Sequence, residues 1–401
     1  MIKETIDRLR LLVDPPEPEP QSHELGLVLT GGGARAAYQV GVLNYIAENI
    51  PDSRFSIMIG VSAGAINAAH FANFDGTFPE ASRRLVELWR DLRSHHVYEI
   101  EPTFRVLRTV LLRAMRGQGN GGNTTADLRS LANTSPLRAY LKEMLGSENG
   151  ALAGVTRNLK AGNLRAVAIV TLSYTTGQTI TWVQGDNFKA WERPNRIGIN
   201  TRLTVDHIMA STSLPFLFPA VNIGDAWHGD GGIRLSAPLA PAIHLGADRV
   251  LAISTRYSRT RAEADEPLVV GYPPASQLFG MLTNAVFLDA LDEDAHMMKR
   301  INRLLEELES HGRGKLRPVK LLLLRPSVDL GKLARNYEAT LPTTLEIFSR
   351  MLGTEETQSP DWLSMLLFER DYIFRLIDIG YEDARRQHDE IEAFFEPPVK
   401  I

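Results

Sequence analysis

The sequence predicts an α/β fold on a mainly parallel sheet, and three observations carry that expectation. Short apolar runs of strand length alternate with runs of helical periodicity between residues 25 and 73. Each of the first two strands enters its helix through a glycine-containing turn. A strand–helix–strand–helix succession this short calls for parallel strands joined by right-handed crossovers.

In chain order, residues 1–24 read as a short helix followed by an extended tether, Pro15-Pro16-Glu17-Pro18-Glu19-Pro20. Leu25-Gly26-Leu27-Val28-Leu29-Thr30 is a buried strand and Gly31-Gly32-Gly33 a tight turn. Ala36, Val40, Leu43, Ile46 and Ala47 then recur at helical spacing. Phe55 to Ile59 is a second strand, and a helix of small residues opens at Ala63. Further strands are expected at Leu164–Leu172, Gln178–Val183, Val250–Ser254 and Val319–Leu324, the first two forming a hairpin around Thr175-Thr176-Gly177. Residues 78–150 look helical apart from Gly117-Gln118-Gly119-Asn120-Gly121-Gly122-Asn123, and helix dominates again from about residue 276. The organisation expected is a tether (1–24), an α/β core (25–325) and a helical carboxyl-terminal extension (326–401).

Composition removes several function classes. The 401 residues carry 44 Lys+Arg against 48 Asp+Glu, a net charge of −4, which lacks the basic excess that nucleic-acid binding requires. With no cysteine, disulfides, thiolate metal sites, iron–sulfur clusters and a cysteine nucleophile are excluded. The amino-terminal segment lacks the apolar stretch and cleavage site of a signal peptide, and no stretch approaches a membrane span. A cytoplasmic location is expected, with peripheral contact at a membrane surface left open.

Gly60-Val61-Ser62-Ala63-Gly64 is a G-x-S-x-G pattern placed where a strand turns into a helix. That is the setting of a nucleophile elbow, in which Ser62 takes a strained conformation and the flanking Gly60 and Gly64 give the turn room. The helix amino terminus then offers N–H groups and positive dipole to an oxyanion. The plainer reading of Ser62 is a helix N-cap.

Gly31-Gly32-Gly33-Ala34-Arg35-Ala36 also fits a loose dinucleotide fingerprint. That motif needs an acidic residue at the end of the next strand, where this chain has Gly60-Val61-Ser62, so the nucleotide reading is disfavoured. The alternative gives the glycine backbone to an oxyanion hole facing the neighbouring strand's serine. Arg35 would position that loop or an anionic substrate group; otherwise it is a charge on a helix surface.

Of the ten histidines, none sits in a context that marks a catalytic triad. Asp230, in Trp227-His228-Gly229-Asp230-Gly231-Gly232, is the better base, since glycines on both sides let a carboxylate approach another loop closely. An Asp-Gly turn explains the same residues equally well.

Taken together, the sequence resembles the patatin-like phospholipases. The glycine loop Gly31-Gly32-Gly33-Ala34-Arg35, the Gly60-Val61-Ser62-Ala63-Gly64 elbow, the Ala210-Ser211-Thr212-Ser213-Leu214-Pro215-Phe216-Leu217-Phe218-Pro219 segment and Asp230-Gly231-Gly232 follow in the family's order. The chain departs from the common pattern at Ala36, where glycine is frequent, and in having Asp-Gly-Gly for Asp-Gly-Ala. The resemblance covers about residues 25–255. It implies a three-layer α/β/α fold and hydrolysis of lipid acyl esters by a Ser–Asp dyad without cofactor or metal. Ser62 would be the nucleophile, Asp230 the base, and Gly31, Gly32, Gly33 and Arg35 the oxyanion region. The implied partner is a phospholipid or another lipid ester.

Two elements suggest how lipid is reached. Phe104–Arg116 is a basic amphipathic helix, with Arg105, Arg108, Arg113 and Arg116 opposite Leu107, Val110, Leu111 and Met115. It suits either a lid or membrane-surface element, or a helix covering the core. Arg256-Tyr257-Ser258-Arg259-Thr260-Arg261 suits phospholipid headgroups or a plain surface loop. Phe216, Leu217, Phe218 and the Leu363–Phe368 run read as core. Two competing functions stay open: an esterase with a Ser62–Asp230–His296 triad, and a nucleotide-binding scaffold using Gly31–Ala36.

Overall fold

Strict alternation inside the strands sets the layers. In β1 (Leu25–Leu29), Leu27 and Leu29 enter one hydrophobic core and Val28 the other. In β2 (Ile57–Val61), Met58 joins the first core while Ile57, Ile59 and Val61 join the second. Both faces of these strands are covered, so each reads in sequence as an unbroken apolar run. The computed structural model describes residues 24–100, 132–147, 149–185, 190–265, 289–308, 316–337 and 361–396, with isolated positions between them. The tether, the basic helix 104–116 and the glycine-rich segment 117–123 lie outside the described residues.

The remaining strands are β3 (Glu99–Ile100), β4 (Ala132–Asn133), β5 (Ala166–Ser173), β6 (Thr179–Gly185), β7 (Glu192–Arg193), β8 (Arg196–Asn200), β9 (Val221–Ile223), β10 (Ala226–Asp230), β11 (Arg249–Ile253) and β12 (Lys320–Leu324). Among the described residues, β3 and β4 form a small ribbon, and the other ten strands form one sheet: eight in the order β12-β11-β1-β2-β5-β6-β8-β7, with β10 off this path pairing β5 and β9. From β12 to β5 every neighbour is parallel. The β5–β6 hairpin is antiparallel, as its turn predicts.

One helical layer contains Ala37–Asn49, Ala63–Asn73, Phe78–Asp91 and Arg370–Arg386; the other contains Ala240–His244 and Ala290–Glu307. This is the three-layer α/β/α arrangement. Arg370–Arg386 packs backbone to backbone on Ala37–Asn49. A Cβ on Gly41 would lie 1.9 Å from the Ile377 carbonyl oxygen, and one on Gly380 would lie 2.1 Å from that of Tyr38. Arg370–Arg386 thus shares a core with Ala37–Asn49, the first α-helix among the described residues.

Phe216 departs from the expected core position. It is 81% exposed, at φ +67°, while Phe218 beside it is buried. The left-handed backbone turns one apolar side chain outward and the next but one inward.

Candidate active site

The site forms where two strands meet end to end. β2 runs parallel to β5, and its last pair is Val61 with Val170. β10 runs antiparallel to β5, and its last pair is Asp230 with Thr171, the next residue along. Both strands occupy the same edge of β5 from opposite directions, so Ser62 and Asp230 are brought face to face across one register step. Gly231 permits this closeness, because a Cβ there would stand 2.3 Å from the Val170 carbonyl oxygen.

Ser62 sits at φ 54°, ψ −131°, immediately before the helix Ala63–Asn73. Non-glycine residues rarely adopt this conformation, and holding it costs about 1–3 kcal/mol. Several contacts enforce it. The Ser62 N–H donates to Ser211 Oγ at 2.9 Å, and that hydroxyl donates to the Val170 carbonyl at 2.7 Å. Gly64 lets the helix start press against β1, where a Cβ would meet the Leu29 carbonyl oxygen at 2.3 Å. Gly60 does the same against the Ala65 Cα, at 2.4 Å.

Asp230 is fully buried. Its Oδ1 accepts from the Gly232 N–H at 2.8 Å, and its own N–H donates to the Ser213 carbonyl at 3.0 Å. Among the described residues, Oδ2 has no hydrogen-bond partner of normal geometry. Burial pushes the carboxyl from the ordinary range up to about 7, with the Ser62 hydroxyl and the Gly232 N–H pulling the other way. A buried carboxylate with an unpartnered oxygen, next to a strained serine, can take that serine's proton at neutral pH.

The glycine loop closes the third side. A Cβ on Gly31 would stand 2.8 Å from the Ser62 Cβ, and one on Gly33 would stand 2.1 Å from the Met365 carbonyl oxygen. Thr255 Oγ1 donates to the Gly31 carbonyl at 2.7 Å and fixes the loop from the end of β11. The Arg35 guanidinium turns elsewhere: it bonds Ser364 Oγ at 2.5 Å and Asp361 Oδ1 at 2.6 Å, and is 3% exposed.

Ser62 opens into a pocket lined almost wholly by apolar side chains, among them Ile66, Leu92, Leu141, Leu366 and Phe368. Among the described residues, no histidine ring bonds Ser62 or Asp230. His228 contacts Thr171, His70 the Ala81 carbonyl and His207 Thr204, while His296 lies exposed on Ala290–Glu307. No cluster of three or more metal-ligating side chains occurs among the described residues.

Ser211 and Thr255 hold the site, and neither carries a sequence pattern that marks it as a site residue. Ser211 lies within the Ala210–Pro219 segment, but no local signal distinguishes its hydroxyl. The basic stretch from Arg256 meets the chain's own carboxylates, with Arg256 against Asp289 and Asp292 and Arg259 against Asp329.

The fold and this constellation define an α/β protein with a serine at a strand–helix elbow and a buried aspartate opposite it. The chain belongs to the patatin-like phospholipase family, whose model matches residues 27–243. Similar solved structures include VipD from Legionella pneumophila, 12% identical, covering 92% of this chain and 67% of that one, with a TM-score of 0.34. Another is human GIVD cytosolic phospholipase A2, 13% identical, covering 96% and 62%, with a TM-score of 0.43. The chain therefore matches about three fifths to two thirds of the length of these proteins. No curated protein sequence matches it.

Proposed function

We propose that the chain is a lipid acyl hydrolase of the phospholipase A, lysophospholipase or esterase type, acting through a Ser62–Asp230 dyad. The observation that carries the proposal is the end-to-end meeting of β2 and β10 on β5, which sets Ser62 against the buried Asp230 carboxylate.

In the reaction, Asp230 accepts the hydroxyl proton as Ser62 Oγ attacks the ester carbonyl carbon. The negative charge develops on the carbonyl oxygen between the Gly31–Gly33 backbone and the amino end of Ala63–Asn73. The Ser62 N–H is committed to Ser211, so the loop and the helix end supply the oxyanion donors. Collapse breaks the ester C–O bond, and Asp230 returns the proton to the leaving alcohol. Water then attacks the acyl-enzyme, giving its proton to Asp230, and the fatty acid leaves as Ser62 is reprotonated.

The competing readings find less support. A triad through His296 would need a side chain that instead faces solvent. A nucleotide phosphate on Gly31–Ala36 would have to displace the Met365 backbone from Gly33. A fluorophosphonate probe tests the assignment: it should modify Ser62, and Asp230→Ala should abolish turnover of phospholipid and glyceride esters. Substantial turnover by Asp230→Ala would overturn the dyad. The same lipid panel, at several chain lengths and with positional analysis of the products, identifies the ester cut.

A further inference from the structure

The pocket beside Ser62 has two unusual properties. First, its polar side-chain atoms other than the Ser62 hydroxyl are already hydrogen-bonded within the protein. Tyr140 donates to the Leu88 carbonyl at 2.8 Å, Trp89 Nε1 to Asn67 Oδ1 at 2.8 Å, and Thr212 Oγ1 to the Ile208 carbonyl at 3.1 Å. Apart from the nucleophile, these side chains offer a ligand only hydrocarbon and aromatic surface, which suits an alkyl chain and no polar group. Second, part of the wall comes from far along the chain. Met365, Leu366 and Phe368 line the pocket, yet they lie well beyond the family match at residues 27–243.

Three contacts seat that distant segment. The Met365 carbonyl fills the space that the missing Gly33 side chain leaves. The buried Tyr98 hydroxyl donates to the Leu366 carbonyl at 2.8 Å. Arg35, two residues after Gly33, bonds Ser364 Oγ and both the carboxylate and the carbonyl of Asp361. A guanidinium this deeply buried is costly unless its donors are met. Here they are met by residues whose immediate neighbours shape the pocket.

We propose that Asp361–Phe368 is the specificity wall of the acyl-chain pocket, and that Arg35 is the positioning residue that seats this wall against the glycine loop. This rests on the acyl-hydrolase reading above. The segment would then decide which acyl lengths reach Ser62, while the glycine loop and Asp230 carry the chemistry common to all of them.

The test is a series of p-nitrophenyl esters from acetate to palmitate, run on wild type, Leu366→Trp, Phe368→Ala, Arg35→Gln and Arg35→Lys. Leu366→Trp narrows the pocket and should lower the palmitate-to-acetate ratio of kcat/KM by about tenfold or more. Phe368→Ala widens it and should move the optimum toward longer chains. Arg35→Gln should lower the ratio in the same sense as Leu366→Trp, chiefly through KM for the long esters, and Arg35→Lys should restore part of it. If Arg35→Gln does not fold, Arg35→Lys alone decides the positioning claim. The relative rates at which short- and long-tailed alkyl fluorophosphonates label Ser62 give a second reading that does not depend on turnover. Chain-length ratios and labelling ratios that stay at wild-type values in the folded variants would overturn the inference and leave the acyl-hydrolase reading standing. If wild type hydrolyses no ester and Ser62 takes no label, the acyl-hydrolase reading fails and the specificity wall fails with it.

Discussion

The two strand ends that meet on β5 are stressed in different ways. At the end of β2 the backbone is strained: Ser62 holds φ 54°, ψ −131° while its side chain stays chemically ordinary. At the end of β10 the backbone is relaxed, with Asp230 at φ −55°, ψ 125°, but its carboxyl has lost all contact with solvent. One residue is held out of its preferred shape and the other out of its preferred charge state. Both costs are met by the packed fold around them, and substitutions should separate the two.

The largest effect is expected from Ser62→Ala, which removes the proposed nucleophile and leaves the strained backbone in place. Turnover should fall by about 10⁴ or more, with the melting temperature close to wild type. A large gain in stability from this variant would mean that the cost lies in the hydroxyl.

Asp230→Asn should match that loss of turnover but behave oppositely in stability. The folded carboxyl titrates near pH 7, above the ordinary range, so the folded protein keeps a proton that the unfolded chain has released. Below about pH 4 both states are protonated and no difference arises. As pH rises from there to about 7, wild type loses stability that the amide variant keeps, by an amount on the order of a few kcal/mol. Urea unfolding of both proteins at pH 4.5 and pH 8 measures this, and a gap independent of pH would refute it. In wild type the same group predicts that kcat/KM rises with pH and levels off above about 7.

Smaller effects probe the backbone side. Ser211→Ala leaves the Ser62 N–H and the Val170 carbonyl without their partner and should cost about 1–3 kcal/mol, read by chemical denaturation. The smallest expected effect is that of Ser62→Gly. Glycine adopts the elbow conformation freely, so this inactive variant should melt above Ser62→Ala, by roughly 1 kcal/mol of stability. Equal melting temperatures would show that the elbow is not strained.

What could be read from the sequence followed from what is local. The elbow around Ser62 and the hairpin turn at Gly177 declare themselves through adjacent residues, because turns and strand–helix junctions are set by short-range geometry. Asp230 is ambiguous by itself, since an Asp-Gly turn and a buried carboxylate look alike in sequence; the order of motifs along the chain favours the base, and the register on β5 puts the buried carboxyl beside Ser62. Hydrophobicity misleads at one place. Phe216 reads as core and stands in solvent, because a left-handed backbone overrides the pattern. The Leu363–Phe368 run reads as core and is core, with Leu363, Met365, Leu366, Leu367 and Phe368 all buried, and Met365, Leu366 and Phe368 also border the pocket beside Ser62.

The glycine pair Gly41 and Gly380 has a consequence for synthesis. It joins Ala37–Asn49 to Arg370–Arg386, more than 300 residues apart in sequence, and the later helix follows directly from the segment that Arg35 grips. A growing chain presents Ser62 to the cell early and Asp230 some time later, yet it lacks the pocket wall until residues 361–386 emerge. Contacts this distant in sequence form slowly and late. On the reading proposed above, the elbow at Ser62 and the carboxyl opposite it can be in place while the apolar pocket beside them still lacks part of its wall.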